Sequence, residues 1–348
     1  MSKNKQDILL LSLNEIKDFL LNNGEKAFRA KQIYEWLWTK PVSDFNDMTN
    51  LSKNLRYLLA DKFTLNAVKV ENMQISKDKT IKLAFKLHDG MLVEGVLIPS
   101  ENRTTACISS QVGCSLACEF CATAKMGFCR NLTAGEIYHQ VVQIMNISKE
   151  KYNLPLSNIV LMGMGEPLLN YENVLKATEM ISSEKGLAMS PQRITLSTAG
   201  LPRMIKKLAD DNVKFNLAIS LHSANNKKRS ELMPVNRHNS LEDLSEAIVY
   251  FNDKTGTRVT FEYLLLGGIN DSLADAKELA EYCKQFPIKI NIIEYNSTND
   301  ARFVRASNEN FDQFVTFLKS RNMVVNVRRS RGMDIAAACG QLAGKKKK

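Results

Sequence analysis

The stretch Cys107-Ile108-Ser109-Ser110-Gln111-Val112-Gly113-Cys114-Ser115-Leu116-Ala117-Cys118-Glu119-Phe120-Cys121 contains the densest chemistry in this 348-residue chain. Its second half sets Cys114, Cys118 and Cys121 at the spacing C-x3-C-x2-C, with Gly113 directly before the first. Three thiolates so close along the chain can curl from one loop around a compact metal centre, and the glycine supplies the turn. A structural zinc ion would need a fourth ligand. Cys129 or Cys107 could be proposed, but neither completes a paired-knuckle spacing, so an iron-sulfur cluster is favoured over zinc. Three cysteines on four irons leave one iron open.

Outward from this loop the pattern is one of alternation. Strands are expected at 105–109, 158–162, 193–197, 214–220, 258–265 and 289–294. Helices are expected near 133–149, 171–185, 200–210, 241–254, 272–286 and 309–321, the rhythm of βα units around a parallel sheet. Six units are too few for a closed eight-stranded barrel, so the expected fold class is α/β, a partial (β/α)6 barrel. Chemistry is then sought at the C-terminal strand ends. There lie Gly163-Met164-Gly165-Glu166-Pro167, Ser197-Thr198, Ser220-Leu221-His222 and Asn296. Singly, such small polar residues are more often turns or caps, but on successive strand ends they read as a binding site.

Upstream, residues 13–39 and 44–64 carry apolar side chains at helical spacing, interrupted by Pro41. They suggest a small N-terminal helical accessory domain over 1–72, whose Lys26, Phe28, Arg29, Lys31, Trp36, Trp38 and Lys40 either meet RNA or pack as core. Residues 80–99 alternate like a β-hairpin with His88-Asp89-Gly90 as its turn, giving an extension over 73–99. The barrel would occupy 100–338, and 339–348 a loop with the basic tail Lys345 to Lys348.

Lys and Arg outnumber Asp and Glu by 47 to 37, a formal charge of +10 that suits an anionic partner such as RNA or DNA. The apolar run at 8–13 is ended by Asn14 and Glu15, too short for a secretory signal, and no stretch approaches the ~20 apolar residues that cross a bilayer. A cytoplasmic protein with no membrane association is expected. Its seven cysteines would then be reduced, which gives weight to metal and catalytic roles.

The cysteine loop, with the aromatic Phe120 before its last cysteine, resembles that of the radical S-adenosylmethionine superfamily. Longer segments resemble one group within it, the RlmN family of RNA methyltransferases. They are Phe28-Arg29-Ala30-Lys31-Gln32-Ile33, Asp47-Met48-Thr49-Asn50-Leu51-Ser52, the run from Cys107 to Cys114, the run from Gly163 to Asn170, and Ala337-Ala338-Cys339-Gly340-Gln341-Leu342. The resemblance implies a [4Fe-4S] cluster on Cys114, Cys118 and Cys121 whose open iron chelates S-adenosylmethionine. It also implies cofactor contacts from Gly165, Glu166, Ser197, Ser220, Leu221, His222 and Asn296, and a 5′-deoxyadenosyl radical.

The expected reaction is methylation at C2 of adenosine 2503 in 23S rRNA and of adenosine 37 in tRNAs, with two S-adenosylmethionine molecules per turnover. By resemblance Cys339 is the methyl carrier, Glu94 the proton acceptor, and Cys107 the thiol that forms a transient disulfide with Cys339. Expected partners are the two RNAs and an electron donor such as a flavodoxin or ferredoxin system, with a monomer as the default. A C8-methylating relative is the alternative. Pro167-Leu168-Leu169-Asn170 speaks for C2, while Met333 stands where the C2 enzymes more often carry an acidic residue. A non-catalytic, metal-stabilised RNA-binding protein is the alternative of another class.

Overall fold

The computed structural model describes residues 5–298 and 300–344; the basic tail lies outside the described residues. The chain begins with β1 (Gln6–Asp7), α1 (Leu13–Asn22), α2 (Arg29–Trp38), α3 (Lys53–Lys62) and β2 (Phe63–Thr64). Ser12 and Glu15 cap α1 reciprocally, and Ser52 caps α3 through the Leu55 N–H. The helical pattern expected over 13–39 splits in two after Asn23, where Gly24 adopts φ +74° and breaks the backbone ladder. In 44–64 the pattern divides as well: Asp44 caps a single 3-10 turn over Phe45–Asp47, and the α-helix starts at Lys53, after its own cap Ser52. The aromatic residues of this segment divide between core and surface. Trp38 is fully buried, its ring 5.0 Å from that of Tyr138, whose hydroxyl donates to the Trp38 carbonyl, while Phe28 is exposed.

Next come β3 (Lys69–Ile75), β4 (Ile81–Lys86), β5 (Leu92–Ser100) and β6 (Arg103–Cys107), each antiparallel to the one before. The turn at His88-Asp89-Gly90 has Gly90 at φ +80° and the Asp89 carboxylate accepting from the Met91 N–H. The hairpin is thus the centre of a four-stranded meander. A small clip of β7 (Gln111–Gly113) and β8 (Phe128–Asn131) then brackets the three-cysteine loop.

The remaining elements alternate: α4 (Ala134–Tyr152), β9 (Leu156–Leu161), α5 (Tyr171–Ser182), β10 (Ile194–Thr198), α6 (Pro202–Asp210), β11 (Asn216–Ser220), α7 (Asn226–Leu232), α8 (Leu241–Thr255), β12 (Val259–Leu265), α9 (Leu273–Cys283), β13 (Ile288–Glu294), α10 (Asn308–Ser320) and β14 (Val325–Arg328). β6 and β9 to β14 are parallel neighbours, and the whole sheet runs β14-β13-β12-β11-β10-β9-β6-β5-β4-β3. Six βα units therefore stand as expected, with β14 as a seventh parallel strand on one edge and the meander on the other. Leu217, Ala218 and Ile219 of β11 are all fully buried, so helices cover one face and the barrel interior the other. Capping boxes at Thr133, Ser240 and Ser272 start α4, α8 and α9 where the chain leaves each preceding loop.

Candidate active site

A cavity of about 580 Å³ opens at the C-terminal ends of the parallel strands. Cys114, Cys118 and Cys121 line it, as do Gly165, Glu166, Ser197, Ser220, His222, Asn296, Cys107 and Cys339. Residues more than 230 positions apart in the chain therefore share one chamber.

The cysteine loop is shaped by its glycine. Gly113 has φ +77°, and a Cβ there would lie 1.7 Å from the Gly127 carbonyl oxygen, so no larger residue fits. Across this close approach the Cys114 N–H donates to the same carbonyl at 3.0 Å. Burial, and the neighbouring Glu166 and Cys121 charges, push the Cys114 thiol up to about 11; Cys118 is raised by burial and by its two sister cysteines. Three thiolates in this setting need positive charge to offset their mutual repulsion, which irons supply. Among the described residues no three such side chains converge as ligands of one ion. Three thiols on one loop, all lining the cavity, are the donor chemistry that an iron-sulfur cluster takes, so the residues present fit one.

Glu166 is buried, its two carboxylate oxygens accepting from the Leu168 N–H at 3.0 Å and the Ala199 N–H at 2.8 Å. Burial raises its pKa, a cost that a cationic ligand would relieve. Gly165, at φ +98°, passes so close to Gln111 that a Cβ would meet its side chain at 2.5 Å. Asn296 is 4% exposed and its Oδ1 has no partner among the described residues, an acceptor left for a ligand. His222 accepts the Leu264 N–H at Nδ1, which places its proton on Nε2, and burial with the Arg229 charge lowers it to about 3. Its ring meets that of Phe120 edge-on at 4.9 Å, which joins the cysteine loop to the end of β11. These acceptors and small polar groups fit the ammonium, carboxylate and nucleoside parts of S-adenosylmethionine.

Two residues expected at the site stand elsewhere. Leu221 is fully buried and absent from the cavity wall, and its carbonyl accepts from Arg229. Glu94 also lies behind the wall. Its carboxylate accepts the Ala343 N–H at 2.8 Å and pairs with Lys82 at 3.0 Å, while the Lys82 ammonium donates to the Ala336 carbonyl at 3.2 Å. Glu94 and Lys82 thus clasp both ends of the Cys339 loop. Sequence reasoning missed Lys82; the alternation of β4 marks its face but not its partner.

The Cys339 loop is also tied to the cysteine loop. The Ala122 N–H donates to the Gly340 carbonyl at 2.8 Å and the Thr123 hydroxyl to that of Leu342 at 2.7 Å. Cys107, at the end of β6, is pushed up to about 12 by burial and by the Cys339 charge, with Arg328 opposing. Arg328 also lines the cavity and pairs with the buried Glu262 at 3.1 Å. Its neighbour Arg329 pairs with Glu294 at 2.5 Å.

Fold and site together define a radical S-adenosylmethionine enzyme. Residues 108–283 match the model of the Radical SAM superfamily and residues 6–65 that of the ribosomal RNA large subunit methyltransferase N-terminal domain. A probable dual-specificity RNA methyltransferase RlmN of Flavobacterium johnsoniae is 54% identical over 345 residues, covering 99% of both chains. The Bacillus subtilis protein of the same description is 44% identical over 99% of this chain and 94% of its own. The crystal structure of a radical SAM methyltransferase from Sphaerobacter thermophilus superposes with a TM-score of 0.92 at 41% identity, over 98% of this chain and 100% of that one. The chain belongs to the RlmN family of dual-specificity radical S-adenosylmethionine RNA methyltransferases. The superfamily implies a [4Fe-4S] cluster and S-adenosylmethionine. No helix among the described residues is long and apolar enough to cross a membrane.

Proposed function

We propose that the protein methylates C2 of adenosine 2503 in 23S rRNA and of adenosine 37 in tRNAs, using two S-adenosylmethionine molecules per turnover and Cys339 as methyl carrier. The observation that carries this reading is the meeting of Cys107 and Cys339 in the chamber lined by Cys114, Cys118 and Cys121. Adenine C2 lies between two ring nitrogens and has no lone pair, so it cannot attack an electrophilic methyl group. With S-adenosylmethionine on its open iron, a cluster held by the three cysteines supplies the radical chemistry that such a carbon requires.

In this reading the chain's own residues divide the remaining work. Gly165, Glu166, Ser197, Ser220, His222 and Asn296 hold the cofactor. Cys339 accepts a methyl group as a thioether and presents it to the base; with one of its hydrogen atoms lost to the radical that a bound cofactor would supply, the carbon bonds to C2 and bridges it to Cys339 Sγ, and the odd electron would pass back to the iron-sulfur group as the C2 proton leaves. Glu94 takes the C2 proton once the Ala343 backbone moves off its carboxylate. Cys107 Sγ then attacks Cys339 Sγ; the carbon-sulfur bond breaks, its electron pair leaves with the carbon, which gains a proton to become the methyl group, and a Cys107–Cys339 disulfide forms. Because burial raises Cys107, its proton must leave as it attacks, and the Arg328 charge favours that loss. An electron donor of flavodoxin or ferredoxin type, in a reducing cytoplasm, returns the thiols, and the enzyme acts as a monomer. The adenine is splayed from its stack to enter the cavity.

Mass spectrometry tests the assignment. A methyl group on Cys339 in protein with its cluster, and RNA crosslinked to Cys339 in Cys107→Ala, are the expected results. Anaerobically reconstituted protein that leaves both RNAs unmethylated, or that methylates C8, would overturn it.

A further inference from the structure

Arg229, on α7, is 0% exposed, yet among the described residues it has no carboxylate within salt-bridge distance. All its hydrogen bonds go to neutral acceptors: the Leu221 carbonyl at 3.1 Å, Asn236 Oδ1 at 2.6 Å, the Ala199 carbonyl at 2.6 Å and the Ser220 carbonyl at 3.3 Å. A buried cation without a counter-charge is costly, and such groups are normally paired. Burial lowers Arg229 only to about 10, so it stays charged at neutral pH. The position of α7 indicates where the missing negative charge belongs. The Glu119 N–H, between Cys118 and Phe120, donates to the Leu232 carbonyl at 3.0 Å, and Cys118 and Cys121 pack on the same apolar cluster as Leu232 and Met233. The helix therefore backs directly onto the cysteine loop, with Arg229 one turn before Leu232.

We propose that Arg229 is the built-in counter-charge of the iron-sulfur cluster, a positioning residue that raises the cluster's reduction potential while it ties together the ends of β10 and β11. The proposal rests on the reading that Cys114, Cys118 and Cys121 hold a [4Fe-4S] cluster. Reduction from the 2+ to the 1+ state adds one electron, taken from an external reductant, and no proton. The reduced site is one unit more negative, so a fixed positive charge behind Cys118 stabilises it more than the oxidised site. Hydrogen bonds and net charge around the sulfurs set such potentials. The same charge makes the cluster-free protein the strained one, because only loading completes the pair.

The test is anaerobic potentiometry, followed by electron paramagnetic resonance, on reconstituted wild type, Arg229→Met and Arg229→Lys. At the wild-type midpoint the ratio of reduced to oxidised cluster in Arg229→Met should fall about tenfold, which is ~59 mV for one electron. Arg229→Lys breaks the hydrogen-bonding fork but keeps the charge, and should stay within threefold of wild type. An unchanged ratio in cluster-loaded Arg229→Met, or a tenfold fall in Arg229→Lys, overturns the proposal. Should Arg229→Met fail to fold, Arg229→Gln removes the charge while keeping an amide donor, and an unchanged ratio there overturns the proposal equally. Wild type that assembles no cluster would instead refute the cluster reading itself.

Discussion

The loop that carries Cys114, Cys118 and Cys121 and the trio of Glu94, Cys107 and Cys339 are built in opposite ways. The first is local: eight residues, one obligatory glycine and a short clip of β7 and β8 that holds its ends. The second is wholly tertiary. Glu94 sits in β5 opposite Ala84, Lys82 two residues further along the same face of β4, and Cys107 at the end of β6 opposite Val96. Cys339 enters from a loop 245 positions beyond Glu94, held by the Lys82–Glu94 clasp and by Ala122 and Thr123 of the cysteine segment. A radical source can thus be assembled from neighbouring residues, whereas a device for delivering and releasing a methyl group depends on the register of the sheet.

The sharpest way to break the comparison is Cys118→Ala. It should abolish both the cluster absorbance near 400 nm and all RNA methylation, while circular dichroism stays near wild type. Next, Cys107→Ala should keep the cluster and the methyl group on Cys339 but stop turnover at the crosslinked RNA, read as a shifted band on a denaturing gel. Equal crosslinking by Cys107→Ala and by Cys107→Ala with Cys339→Ala would show that the trio does not act as described.

Lys82→Met should lie between the two regions in effect. It leaves the Glu94 carboxylate buried without its partner and frees the Ala336 end of the loop. About 3 kcal/mol of stability should be lost, measured by denaturant unfolding, with the cluster spectrum unchanged. A loss under about 0.5 kcal/mol would mean that the clasp is ornamental.

The smallest effect is one of pH. Folded His222 is held near 3 by burial, whereas the unfolded chain binds that proton below about 6.5. Stability is therefore present above pH 6.5 and is lost as pH falls towards 3. From pH 7 to pH 5 the loss should be about 2 kcal/mol from His222. His139, lowered to about 4 by burial, adds in the same sense. Buried Glu166 is raised and works in the opposite direction, so the comparison is made against His222→Gln, whose stability should fall less over that range.

Much of this was legible in the chain. Each βα unit announces itself through its own apolar period, and the cysteine spacing identifies a metal loop with no knowledge of the fold. Resemblance, not spacing, pointed to Glu94, Cys107 and Cys339. The structure brings the two cysteines together with the cysteine loop and sets Glu94 behind the Cys339 loop. Other features left no local signal. β14 is only four residues long and owes its place to its parallel pairing with β13. Arg328 reads as one basic residue among several until β14 carries it into the cavity beside Glu262.

By itself, then, the sequence determined the α/β rhythm, the three-cysteine loop and its glycine turn, because each depends on neighbours within one turn or strand. The tertiary structure alone decided that Lys82 and Glu94 clasp the Cys339 loop and that Arg229 is buried, with no carboxylate partner among the described residues, on the helix that backs onto the cysteine loop. Partnership between distant side chains depends on strand register and loop closure, which no short window of sequence encodes.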